Sequence, residues 1–269
     1  MRQKILSLCL IALMGFASPG AAESNGEALD VQILPGWRAA DGTHVAAIEM
    51  TLAEGWKTYW RAPGDAGIPP QFDWRGSRNL SGVEISWPTP KAMSQNGMRA
   101  IGYDNKVTLP IRIAPKQDGK PVELSGRIEM GVCKDICIPV TLEVSQLLEP
   151  GVSKPDPQIA AAMADRPYSA KEAGVGRVTC QITPKGGGLH LLARIELPKT
   201  GAREVAIVET DNPQVWVAQA KTSRSGGTLI AETEMYHADG RAFALNRSGL
   251  RITVLGKSRA VDIQGCPSG

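Results

Sequence analysis

The chain has 269 residues, 21% of them charged, with 30 Lys and Arg against 27 Asp and Glu and a formal net charge of +3. That length accommodates one large or two small domains. The slight basic excess is dispersed, with no run of Lys or Arg, so nothing in the composition supports nucleic-acid binding.

The N-terminus reads as an export signal. Arg2 and Lys4 precede an apolar run from Ile5 to Phe16 and then the small residues Gly20-Ala21-Ala22, the pattern of a secretory signal peptide. Cleavage after Ala22 removes residues 1–22, Cys9 included, and leaves Glu23 as the mature N-terminus. The apolar run is short for a membrane span, and no later run is long, so the expected product is exported and soluble.

From about Leu29 the texture is β: short alternating runs separated by Gly, Pro and Asp. Asp41-Gly42 marks a turn between Leu29–Leu34 and His44–Leu52, a strand in which Ile48, Met50 and Leu52 share one face. Further strands are expected at 57–60, 71–74, 83–87, 107–113, 122–130 and 138–147. Short strands with turn signals at this spacing imply an immunoglobulin-like sandwich over residues 23–148. Residues 149–174 read as a linker, in which Gln158–Ala164 forms a short helix capped by Asp156. A second β texture follows over 175–269, with strands expected at 176–182, 189–196, 204–209, 215–220, 228–236, 250–255 and 260–263. The fold class is therefore all-β: an immunoglobulin-like sandwich followed by a second, smaller β-sandwich-like domain.

Four cysteines remain after loss of Cys9, an even number for an oxidising compartment. Composition blocks favour Cys133 with Cys137 and Cys180 with Cys266. The second pair closes a loop of more than eighty residues, which suits a structural bridge worth roughly 4 kcal/mol in the chain-entropy model. The first pair sits in Met130-Gly131-Val132-Cys133-Lys134-Asp135-Ile136-Cys137-Ile138-Pro139. In an extended strand residues four apart lie roughly 13 Å from each other, whereas a disulfide needs Cα atoms about 4.4–6.8 Å apart. The chain must therefore turn at Lys134-Asp135-Ile136, by a helical or turn-like revolution. Lys134 favours a thiolate and Asp135 opposes it, so the net effect on reactivity stays open. Spacing alone fits a structural staple as well as a redox pair.

Three segments in order, Gly55-Trp56-Lys57-Thr58-Tyr59-Trp60-Arg61, Gly102-Tyr103-Asp104-Asn105-Lys106-Val107-Thr108-Leu109-Pro110, and Cys133 to Cys137 with Ile138-Pro139, resemble the N-terminal periplasmic domain of DsbD thiol:disulfide interchange proteins. The short cysteine spacing and Trp60-Arg61-Ala62-Pro63-Gly64-Asp65 are more similar to the ScsB-like branch, linked to copper tolerance. The resemblance implies a periplasmic protein-disulfide reductase component. It would take electrons from a thioredoxin-like domain or membrane carrier on a separate chain and pass them to oxidised periplasmic proteins. Cys137, before x-Pro, is the expected exchanging cysteine and Cys133 the resolving one. Tyr59 matches a family tyrosine near the cysteines, while Lys57 stands where the DsbD branch has an aromatic residue. The family's cap loop corresponds to Pro88–Gly102, which has no Phe, Tyr or Trp, leaving Met93 or Met98 as the candidate shield.

Two other classes remain open at this point. A Cu(I) site could draw on Cys133, Cys137 and Met130, with Met93 and Met98 nearby, and a redox-inert structural module would use both disulfides as staples. His44, His190 and His237 lie in strand-like runs without a hydrolase motif, and Gly186-Gly187-Gly188 sits in a hairpin turn rather than a phosphate loop. The residues leave the direction of electron flow open.

Overall fold

The computed structural model describes residues 28–65 and 67–267. The expected signal peptide, Cys9 and the cleavage point lie outside the described residues. Ten strands make up the first half: β1 (Leu29–Arg38), β2 (His44–Leu52), β3 (Lys57–Tyr59), β4 (Gln71–Asp73), β5 (Leu80–Ile85), β6 (Lys91–Gln95), β7 (Met98–Asp104), β8 (Lys106–Pro115), β9 (Val122–Cys133) and β10 (Cys137–Leu148). They form two facing sheets, one in the order β1-β2-β8-β5 and the other β10-β9-β3-β7-β6, with β4 added alongside β9.

Strand periodicity explains the core. Ala46, Ile48, Met50 and Leu52 point from β2 into the sandwich, where they meet Leu109, Ile111, Ile128 and Val132, since alternate residues of a strand share a face. The other face of β2 is buried as well. Val45 and Ala47 pack with Ile159 and Met163 of α1 (Pro157–Ala164). The linker helix thus covers a sheet that would otherwise face water on one side. Asp156 caps it as expected, accepting hydrogen bonds from Gln158 N and Ile159 N at 2.8 and 3.0 Å. Glu49, buried on this same face, is satisfied by Lys106, Gln32 and Gln158.

Nine strands follow: β11 (Tyr168–Ser169), β12 (Val178–Lys185), β13 (Gly188–Glu196), β14 (Val205–Glu209), β15 (Val215–Val217), β16 (Lys221–Ser225), β17 (Thr228–His237), β18 (Arg251–Leu255) and β19 (Ala260–Gln264). Their sheets run β11-β19-β18-β14 and β12-β13-β17-β15, with β16 also on β17. They enclose a separate core that includes Leu191, Ile195, Leu229, Ile252 and Ile263. Cys180 and Cys266 are bonded inside it, each 1% exposed. Four residues of this second group, Val205, Ile207, Leu255 and Ala260, pack against the first core.

The structure adds strands where the sequence reading expected loop. The stretch treated as a cap loop is a hairpin of β6 and β7, turned by Asn96 and Gly97 at φ +50° and +81°. Both central residues at positive φ are the requirement of a type I′ turn, which Asn-Gly meets at low cost. β16 was likewise unexpected, because Lys221–Ser225 is polar throughout and half of it faces solvent.

Candidate redox site

The two cysteines end one strand and begin the next. Cys133 closes β9 and Cys137 opens β10, and they are direct cross-strand partners with Cα atoms 4.1 Å apart, joined as a disulfide. The three residues between them make a hairpin turn, closed by Lys134 N donating to Ile136 O at 3.2 Å. The required reversal is therefore a hairpin at the tip of the long β9–β10 ribbon rather than a helical revolution.

The environments of the two sulfurs differ. Cys133 is 0% exposed, because β9 lies inside the sheet with β3 and β10 on its flanks. Cys137 begins the edge strand β10 and is exposed. Tyr59 sits beneath both. Its hydroxyl donates to Cys133 Sγ at 2.6 Å and lies 3.2 Å from Cys137 Sγ. Burial pushes the phenol above its ordinary pKa of 10.0, so it keeps its proton and acts as a donor.

Close packing holds that ring in place. A Cβ added at Gly67 would stand 2.5 Å from Tyr59 Cδ1, and one at Gly131 would stand 3.2 Å from Tyr59 Cε2. The ring is clasped between two backbones, with Ile68 beside Gly131. Tyr59, Ala100 and Cys133 form a small apolar cluster separate from the main core.

The β6–β7 hairpin reaches the cysteine turn through side-chain amides. Gln95, 4% exposed, donates from Nε2 to Lys134 O at 2.9 Å, and Asn96 donates from Nδ2 to Asp135 O at 3.3 Å. Neither residue was anticipated from sequence. The Asn96-Gly97 turn signal was available, but nothing in the chain indicated which backbone it would meet.

The other expected site residues are distributed around this centre. Lys57 is half-buried and lies opposite Cys133 in the β3–β9 register. Lys134 is exposed, with its aliphatic stem against Gly55. Met93 is half-buried opposite Ala100, and Met98 is 50% exposed at the hairpin end. Met130 belongs to the main core, where Thr58 Oγ1 approaches its sulfur at 3.8 Å, whereas Cys133 belongs to the small cluster with Tyr59. The copper alternative therefore does not find its three residues in one cluster. Among the described residues no three His, Cys, Asp or Glu side chains gather as a metal-binding group.

A disulfide with one accessible and one buried sulfur is suited to directional exchange. A thiolate attacks the accessible sulfur, and the bond breaks toward the other, whose departure is easier when a donor stabilises the forming thiolate. Here the accessible cysteine is Cys137, and the donor on Cys133 is the Tyr59 hydroxyl.

Comparisons with known proteins agree with this chemistry. A family profile described as "Thiol:disulfide interchange protein DsbD, N-terminal" matches residues 30–149. Among solved structures, the N-terminal periplasmic domain of ScsB from Proteus mirabilis superposes with a TM-score of 0.70 at 20% identity, covering 91% of this chain and 96% of that one. The reduced DsbD N-terminal domain from Neisseria meningitidis is 18% identical over 49% of this chain and 94% of its own, with a TM-score of 0.27. No curated protein matches the chain. Residues 30–149 are thus a DsbD-type N-terminal domain of the thiol:disulfide interchange family, set within a chain that has the fold of the ScsB N-terminal region.

Proposed function

We propose that this protein is a periplasmic thiol:disulfide exchange component that carries two electrons between a thioredoxin-like or membrane-borne donor on a separate chain and oxidised periplasmic proteins. One observation carries the reading: exposed Cys137 is bonded to buried Cys133, with Tyr59 donating to the Cys133 sulfur. The family match supports the thiol:disulfide chemistry.

In the loading half-reaction a donor thiolate attacks Cys137 Sγ. The Cys133–Cys137 bond breaks, a donor–Cys137 mixed disulfide forms, and Cys133 leaves as a thiolate under the Tyr59 hydroxyl. The donor's second thiolate then attacks its own sulfur in the mixed disulfide. Cys137 is released as a thiolate, the donor leaves oxidised, and the pair is reduced by two electrons. In the unloading half-reaction the Cys137 thiolate attacks a substrate disulfide, and Cys133 then attacks Cys137 Sγ. The pair is reoxidised and the substrate departs with two thiols.

The division of labour follows from access. Cys137 meets partners, and Cys133 resolves. In this reading residues 23–148 are the redox unit, 149–174 the linker, and 175–269 a second β-domain. The test is trapping from a periplasmic extract: reduced Cys133→Ala should hold a mixed disulfide through Cys137, and Cys137→Ala should hold none. Trapping by neither variant, with both folded, would overturn the proposal.

A further inference from the structure

Two polar tethers cross from the second group of strands to the walls of the disulfide site. Glu209, the last residue of β14, accepts from Arg61 Nε and Nη2 at 2.9 and 3.0 Å, with the two side chains only 15% and 18% exposed. The guanidinium also lies 3.7 Å above the centre of the Trp60 ring. Burial disfavours the Arg61 charge, and the Glu209 carboxylate offsets that penalty. Arg61 is two residues from Tyr59, the residue that touches both sulfurs.

The second tether grips the hairpin. Gln219 donates from Nε2 to Arg99 O at 2.7 Å. Arg99 pairs with Ser94, next to the Gln95–Met98 pair that closes the hairpin, and Gln95 is the residue bonded to Lys134 O. Between the tethers the two halves are not packed together. A cleft of about 550 Å³ remains, bordered by Arg61, Pro63, Arg99, Val217, Gln219 and Glu209. The contact is thus concentrated at points within two residues of groups that touch the disulfide or its turn.

We propose that the second group of strands is a brace for the redox site, in which Glu209 positions Tyr59 through Arg61 and Gln219 positions the β6–β7 hairpin through Arg99. The physical need is clear for the hairpin. β6 is an edge strand with mostly exposed side chains, and such elements open locally at low cost. The consequence for exchange chemistry rests on the function proposed above, but the bracing itself does not.

The test uses the full chain. Gln219→Ala removes one hydrogen bond, which corresponds to about fivefold in the hairpin's opening equilibrium. The oxidised variant should therefore react with dithiothreitol about fivefold faster. Glu209→Ala leaves Arg61 unpaired, so Tyr59 is no longer held at Cys133. The Cys133 thiolate fraction of the reduced chain, measured below its titration midpoint, should fall about tenfold. Glu209→Gln keeps the side-chain shape and should move in the same direction by less, which covers a failure of the alanine variant to fold. Ile263→Val loosens the second core without touching either tether and should leave both readouts within twofold of wild type. The proposal is overturned if folded Gln219→Ala and Glu209→Gln both stay within twofold of wild type, or if Ile263→Val reproduces their effects. Failure to trap a partner would instead remove the exchange function and leave these results unaffected.

Discussion

Replacing Tyr59 by Phe isolates the one hydrogen bond on which the asymmetry of the disulfide depends. The ring stays clasped between Gly67 and Gly131, so the packing survives and folding stability should change by only about 1 kcal/mol. The lost interaction is the O–H donated to Cys133 Sγ at 2.6 Å. In the oxidised protein its acceptor is a neutral sulfur. In the reduced protein it is a thiolate, and a hydrogen bond to a charged group is worth about 1.5–3 kcal/mol. At about 1.4 kcal/mol per pH unit, the Cys133 thiol should titrate about one to two pH units higher in the variant. Where the thiolate is populated, the same energy lowers the midpoint potential by about 30–60 mV for a two-electron couple. Thiolate absorbance of reduced Tyr59→Phe in a Cys137→Ala background, compared with Cys137→Ala alone, reads the titration directly. An unchanged Cys133 midpoint in a folded variant would show that the hydroxyl does not stabilise the leaving sulfur.

Two further expectations concern the second half of the chain. Replacing Cys180 and Cys266 together with Ala removes a bridge across 86 positions, which in the chain-entropy model costs about 4–5 kcal/mol. Denaturant unfolding should show that loss. Glu204 makes a largely buried ion pair with Arg224, whose hydrogen bonds hold the Glu204 carboxyl at about 2 against an ordinary 4.5. A folded-state pKa below the unfolded one means that the unfolded chain takes up the proton first as pH falls. The contribution is complete above about pH 4.5 and is lost progressively toward pH 2, with a total on the order of 2–3 kcal/mol. Glu204→Gln should flatten that part of the stability–pH curve, and an unaltered slope would count against the pair.

Much of the fold was legible because strand periodicity and capping are local. The alternation in His44–Leu52 identified one core face, and Asp156 identified the start of the linker helix. The second buried face of that strand was not visible, since the residues covering it, Ile159 and Met163, lie more than a hundred positions away. The cysteine pairings followed from composition blocks, and Tyr59 from resemblance. The polar latch at Gln95 and Asn96 was hidden for a different reason. It joins side-chain amides to backbone carbonyls at Lys134 and Asp135, and a backbone acceptor leaves no mark on the residue type that provides it. The search for an aromatic or thioether shield in that segment looked for an apolar solution, whereas the chain reaches the cysteine turn with hydrogen bonds. Arg61 stood in a quoted motif, but its partner Glu209 is 148 positions distant, so the tether between the two halves could be found only in three dimensions.

The central claim is that exchange enters through Cys137. It is tested most directly by treating the oxidised chain with a small thiol, quenching with acid, and mapping the mixed disulfide by peptide mass analysis. The adduct should be carried on Cys137, because Cys133 is 0% exposed beneath the sheet. An adduct found predominantly on Cys133 would contradict the assignment of both cysteines.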